Sequence, residues 1–301
     1  MAHKHKTYNK TSMLLISMAL NFAITFFEVI GGLLSGSLSL ISDAVHNFSD
    51  ALALILSFIA IKLAAKENTE ERTFGYKRAQ IVVALFNSSV LIIVSFFLFR
   101  EAIIRFYHPS TIKSGIMISV AFIGLLANSI SVLLLNKGKH ENLNIRSAYM
   151  HLFSDMLSSI AVILGGIAIH LFDIQWVDPL LTIIIGIYVL KEGYAIVAQA
   201  THILMDFTPK SLDLKMIQKD IESVAGVKDV HHVHVRNVTE KDIHFEAHIN
   251  ASQDIRLSES CAIRAGIEKL LADKYAIYHA TLQIEYDSCK NISLVKNTED
   301  K

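Results

Sequence analysis

The chain has 301 residues, of which 52% are hydrophobic and 19% charged. That is too apolar for a wholly water-soluble protein and too charged for a wholly lipid-embedded one, so a membrane part joined to a soluble part is expected. A net charge of zero gives no case for nucleic-acid binding, and two cysteines without a Cys-x-x-Cys pair give none for a disulfide framework.

Residues 1–10 are basic and contain His3 and His5. No small-residue cleavage pattern follows, so the first apolar run reads as a membrane span and not as a removed signal peptide. About 20 apolar residues cross a bilayer core. On that measure residues 13–34, 38–65, 81–104, 112–135, 148–171 and 179–201 are six predicted spans. The first holds Asn21 and Glu28, the second Asp43, His46 and Asp50, the fourth Asn128, and the fifth His151 and Asp155. Lys4, Lys6 and Lys10, then Lys66, Arg72, Lys77 and Arg78, then Lys137, Lys139 and Arg146 fall on one side of these spans; Arg105 and Lys113 are nearly all the other side has. The positive-inside rule therefore predicts that both termini are cytoplasmic.

After residue 205 the pattern changes. Helical spacing over 212–224, alternation over 227–238 and 243–249, helical spacing over 258–275 and a last strand over 280–286 predict an αββαβ order. The expected organisation is a cytosolic N-terminal tail (1–11), a six-helix membrane domain (12–205), a small α+β, ferredoxin-like cytosolic domain (206–290) and a flexible polar C-terminal tail (291–301).

One short motif occurs twice: His46-Asn47-Phe48-Ser49-Asp50 and His151-Leu152-Phe153-Ser154-Asp155. Residues i and i+4 of a helix share a face, about 6 Å apart along the axis. Two such helices facing each other offer two imidazole nitrogens and two carboxylate oxygens to one point, a tetrahedral set that suits zinc. Polar groups that only join helices are the rival reading, but two matched carboxylates in hydrocarbon are costly without a partner. Zinc needs neutral imidazole and ionised carboxylate, so metal binding expels protons, and His46 and His151 are candidates for carrying the counter-transported proton. Asp43 is a supporting partner of the site, an exit group or an interfacial residue. Asn21, Glu28 and Asn128 read as supporting or packing groups.

The soluble part carries its own histidines: His231, His232 and His234 on the first strand, His244 and His248 on the second, His279 beside the last. Alternation puts His248 with His244 and Glu246, and His279 with Glu285. His231 has the parity of Val233 and Val235, opposite to His232 and His234, which a strand edge or bulge would reconcile.

The paired motif, the six spans and the αββαβ end resemble the cation diffusion facilitator zinc transporters. SGSLSLISDAVHNFSD at 35–50 is similar to that family's second-span signature, and TFGYKRAQ at 73–80 to the segment leading into its third span. The resemblance implies a homodimer that exports zinc, with cadmium, cobalt and iron as further candidate cargo, in exchange for protons by alternating access; the compact loops point to a bacterial plasma (inner) membrane, with an organellar membrane as the alternative. It implies a transport site at His46, Asp50, His151 and Asp155. It also implies a regulatory cytosolic metal site at His231, His248, His279 and Glu285, to which the polar face adds His234.

The chain departs from some relatives. The 66–78 loop has Glu67, Glu70 and Glu71 but no histidine, and the fourth-to-fifth loop has only His140. Cys261 and Cys289 read as a buried residue and a surface thiol. A membrane metalloenzyme is disfavoured, because there is no His-Glu-x-x-His and the quartet leaves no open position for water. A metal receptor that senses without transporting is the remaining rival.

Overall fold

The computed structural model describes residues 3–136, 143–287 and 294–295. Cys289, His140 and most of the expected C-terminal tail lie outside them. The chain divides into two compact units, Met1–Ile59 with Val83–Val197, and Ala60–Val82 with Ala198–Lys301.

Six long helices run through the first unit and its borders: α1 (His3–Ser35), α2 (Leu38–Ala64), α3 (Ala79–Tyr107), α4 (Ser114–Asn136), α5 (Leu143–Phe172) and α6 (Val177–Leu204). Five of them, α2 to α6, are long and apolar enough to cross a membrane, while the apolar part described in α1 is Ala19–Ser35. Helix α1 begins at His3, where a tail was expected up to residue 11. At 1.5 Å per residue its 33 residues reach about 50 Å, so it outruns a hydrocarbon core of about 30 Å.

The unit is inverted relative to a soluble bundle. Phe26, Phe97, Leu133 and Leu164 are exposed, whereas Glu28, Asp43, Asn47, Asn128, Asp155 and Asp178 are buried. That suits a lipid-facing exterior, with polar groups gathered between helices. Small residues let the helices close up. A Cβ on Gly31 would stand 2.5 Å from Val120, and one on Gly166 would stand 2.6 Å from Ile118, so α1 meets α4 and α4 meets α5 where there is no side chain to intervene. The α1–α2 turn needs Gly36 at φ +74°. Beyond it, fully buried Asp178 on the first turn of α6 takes bonds from Ser37 Oγ (2.6 Å), Ser39 Oγ (2.6 Å), Leu38 N (2.8 Å) and Ser39 N (3.2 Å). One carboxylate thus satisfies the otherwise orphaned start of α2, the helix that carries the first His-Asp pair.

In the second unit α7 (Leu214–Glu222), β1 (Val227–Asn237), β2 (Ile243–Ala251), α8 (Leu257–Tyr275) and β3 (His279–Glu285) follow in the αββαβ order. The sheet order is β1-β2-β3, antiparallel and then parallel, with α8 as the crossover that a parallel pair requires. A full β-α-β-β-α-β ferredoxin-like pattern has one more leading strand, which is not present among the described residues. One face of the sheet and the two helices bury Ile217, Ile221, Val230, Val233, Val235, Phe245, Ile249, Ile267 and Leu271. Asp213 caps α7 by accepting from the backbone N–H of Lys215 and Met216.

Strand β1 holds a bulge. His231 faces His248 and His234 faces Glu246, so three steps on β1 match two on β2, and His232 absorbs the extra residue at φ +52°. The parity conflict in the sequence is resolved here: His231, His234 and Arg236 share the sheet face opposite the helices with His248, Glu246 and His244.

Candidate metal centres

In the membrane unit the two motifs lie on facing turns of α2 and α5. His151 Nε2 is 3.2 Å from Asp50 Oδ2 and 3.5 Å from Asp155 Oδ2, and His46 Nε2 is 3.6 Å from Asp50 Oδ2. The donor atoms of His46, His151 and Asp155 all lie within 4.8 Å of one another, and Asp50 touches both imidazoles. Zinc bonds of about 2.0–2.2 Å put neighbouring donors of a tetrahedron about 3.4 Å apart. The observed spacings bracket that edge. His46 Nδ1, Asp50 Oδ2 and Asp155 Oδ2 are buried and have no hydrogen-bond partner among the described residues. His46 and Asp155 are buried, while Asp50 and His151 are about a third exposed, which leaves one side of the group open. Tyr188 on α6 packs its ring edge-on to His46 at 6.2 Å.

Around this group the supporting residues sort themselves. Asp43, one turn before His46, accepts from Ser158 Oγ at 2.7 Å and is no part of the donor group. Asn21 is half-buried and its backbone carbonyl takes the Thr25 hydroxyl. Glu28 accepts from Asn47 Nδ2 at 2.9 Å. Asn87 on α3 donates to Ser49 Oγ at 3.0 Å, fixing α2 between the motif residues.

In the soluble unit the bulge brings His231 to His248 (ring centroids 5.5 Å), and Glu285 at the end of β3 faces both. His248 Nδ1 lies 2.7 Å from Glu285 Oε1, and His231 Nε2 lies 3.6 Å from Glu285 Oε2. The three donor atoms again fall within 4.8 Å of one another. Asp229, which sequence reasoning missed, accepts from His231 Nδ1 at 2.9 Å, and Asn250 Nδ2 holds its other oxygen at 3.1 Å. That bond fixes the tautomer and points Nε2 at the group. The one available signal was an aspartate two residues before a histidine on a predicted strand.

Two expected residues are not brought to this group. His279 pairs with His244, six residues along β3 from Glu285, which at about 3.3 Å per residue is about 20 Å away. Its ring stacks on His244 at 4.0 Å. His234 is exposed, pairs with Glu246 on the next rung and lies against His232. His244 packs against Phe74 of the 66–78 segment. Burial holds the His244 imidazole below the usual histidine range, and His279, Arg236 and Lys77 add to the effect. Cys261, expected to be buried, is exposed on α8 and is no ligand of either group.

Known proteins resemble this chain over both of its parts. Residues 14–205 match the family described as cation efflux transmembrane domain, and residues 209–287 the cation efflux protein cytoplasmic domain. A cadmium, cobalt and zinc/H(+)-K(+) antiporter of Bacillus velezensis is 39% identical over 285 residues, covering 94% of this chain and 91% of the relative. The zinc transporter ZitB of Pectobacterium atrosepticum is 36% identical over 95% of this chain and 89% of its own. The metal cation efflux system protein CzcD of Cupriavidus metallidurans is 34% identical over 96% of this chain and 90% of its own. With both of its parts matched and relatives of this identity spanning nearly its whole length, the chain belongs to the cation efflux (cation diffusion facilitator) family.

Proposed function

We propose that this protein exports zinc from the cytosol across a bacterial inner membrane in exchange for protons, and that His46, Asp50, His151 and Asp155 are its transport site. It is a secondary active transporter and catalyses no covalent chemistry. The observation that carries the site assignment is that His151 Nε2 of α5 lies 3.2 Å from Asp50 Oδ2 of α2, with the donor atoms of His46, His151 and Asp155 within 4.8 Å of one another. Protons and zinc compete for the same four side chains, because the metal takes neutral imidazole and ionised carboxylate. Alternating access exposes that group to one side and then the other by rocking of the helices that hold it.

The finer architecture follows the same reading. Six spans, α1 included, put both termini in the cytoplasm by the positive-inside rule. Residues 12–205 form the membrane domain and 206–290 the cytosolic one, with short tails beyond. His231, His248 and Glu285, oriented by Asp229, form a regulatory zinc site with a fourth position left for water or a partner's ligand. The exposed Leu257 and Tyr278 of the soluble unit are candidates for a homodimer contact. Cadmium and cobalt are further cargo of the B. velezensis relative by its name, and an imidazole-carboxylate set accepts them in this chain too.

Reconstituted vesicles test the reading. Zinc entry into the lumen should release lumenal protons in the wild type and stop in Asp155→Ala. Zinc flux without any proton movement, or normal flux in that variant, overturns it. Counterflow of labelled zinc separates transport from mere sensing.

A further inference from the structure

The membrane unit holds one more carboxylate that the quartet does not use. Glu192 lies on α6 (Val177–Leu204). At 1.5 Å per residue it stands about 18 Å from the end of that helix, well inside a hydrocarbon core of about 30 Å. It is exposed, and it makes no hydrogen bond or ion pair among the described residues. Lys191 precedes it, but adjacent residues of a helix do not face each other. A bare carboxylate at that depth is costly against lipid, so it marks a place that water or an ion reaches.

The helices place it beside the quartet. Asp178 Oδ2 accepts from Leu38 N at 2.8 Å, so α2 and α6 start at one level. Tyr188, about 15 Å along α6 from that bond, meets the ring of His46, about 12 Å along α2, so the two helices run in step and in the same direction. Tyr188 and Glu192 are one turn apart and share a face of α6, and both are exposed. Asp50 lies about 18 Å and Glu192 about 21 Å from the same bond, so the glutamate stands about 3 Å beyond Asp50 toward Ala64 and Leu204, where the two helices end. Glu192 also acts on Asp155 through its charge. The quartet itself is open at Asp50 and His151, whose side chains are each about a third exposed.

We propose that Glu192 is a staging ligand, a carboxylate that draws the dication in from the cytoplasmic side and hands it to Asp50. One carboxylate cannot compete with four converging donors, so the metal passes on, yet its charge raises the concentration of a divalent cation at the mouth of the group. The proposal rests on the export reading above, which makes the Ala64 and Leu204 ends cytoplasmic, and adds an entry route to it.

The test is zinc flux into inside-out vesicles of full-length protein, with the zinc concentration at half-maximal flux read separately from the maximal flux. In Glu192→Gln that concentration should rise about tenfold or more, the low end of what a focusing charge contributes, with maximal flux little changed. Glu192→Asp, which keeps the charge, should recover most of the wild-type value. Added choline chloride should raise the half-maximal concentration of the wild type more than that of Glu192→Gln, because salt screens the focusing charge. Calorimetry should still detect zinc at the quartet in both variants. A wild-type half-maximal concentration in Glu192→Gln overturns the proposal. So does an Asp variant as impaired as the Gln variant, a loss confined to maximal flux, or a Gln variant that no longer binds zinc. A wild type without zinc flux, or flux surviving in Asp155→Ala, overturns the exporter reading instead.

Discussion

The two candidate metal centres are built from the same kinds of side chain and held in opposite ways. In the soluble unit His231 is fixed through Nδ1 by Asp229, and Asp229 by Asn250, all three on paired strands. In the membrane unit His46 Nδ1 has no hydrogen-bond partner among the described residues, and the four side chains sit on two separate helices, α2 and α5. A site whose outer groups lock each ligand holds its metal. A site whose ligands come from separable helices lets it go when the helices shift, as a transporter must. On the function proposed above, rigidity of support, more than ligand identity, would separate a cargo site from a regulatory one.

That contrast can be broken or sharpened by experiment. The largest effect belongs to the quartet: Asp50→Ala or Asp155→Ala should abolish zinc flux while the soluble site still titrates in calorimetry. Next is the lock. Asp229→Ala should weaken zinc binding at His231 and His248 by about 10–100-fold, with the quartet unaffected, and an equal loss at both sites would erase the distinction. Asp178→Ala strips four bonds from the start of α2, and hydrogen bonds to charged groups are worth about 1.5–3 kcal/mol each. Thermal unfolding in detergent should therefore fall by several degrees, with the soluble site intact.

The smallest effect is a pH dependence. His244 has its protonation held below the usual range by burial, so the unfolded chain takes up a proton there before the folded chain does. Stability is full above the ordinary histidine value of about 6.5 and declines as pH falls through the folded one. His244→Asn should flatten that decline in a pH series of thermal melts; an unchanged slope assigns it elsewhere.

The long helices, the paired motif and the αββαβ order were legible because each rests on local periodicity and on the cost of charge in hydrocarbon. The soluble ligand set was only partly so. His231 and His248 meet because His232 takes up one extra residue in β1, and His279 fails to join because β3 runs parallel to β2 and starts at the far end of the sheet. Neither register nor bulge is written in alternation alone, since a one-residue shift reverses every side chain.

The order of residues alone showed which segments are apolar, where the positive loops lie and that His46 shares a helix face with Asp50 and His151 with Asp155, because these follow from spacing within a single helix and from the solvent it must face. Packing settled that Asp229 and not His279 lies against the soluble group and that Asp178 seats the start of α2. Each of those is a meeting of distant segments, and distance along the chain carries no information about it until the packing is known.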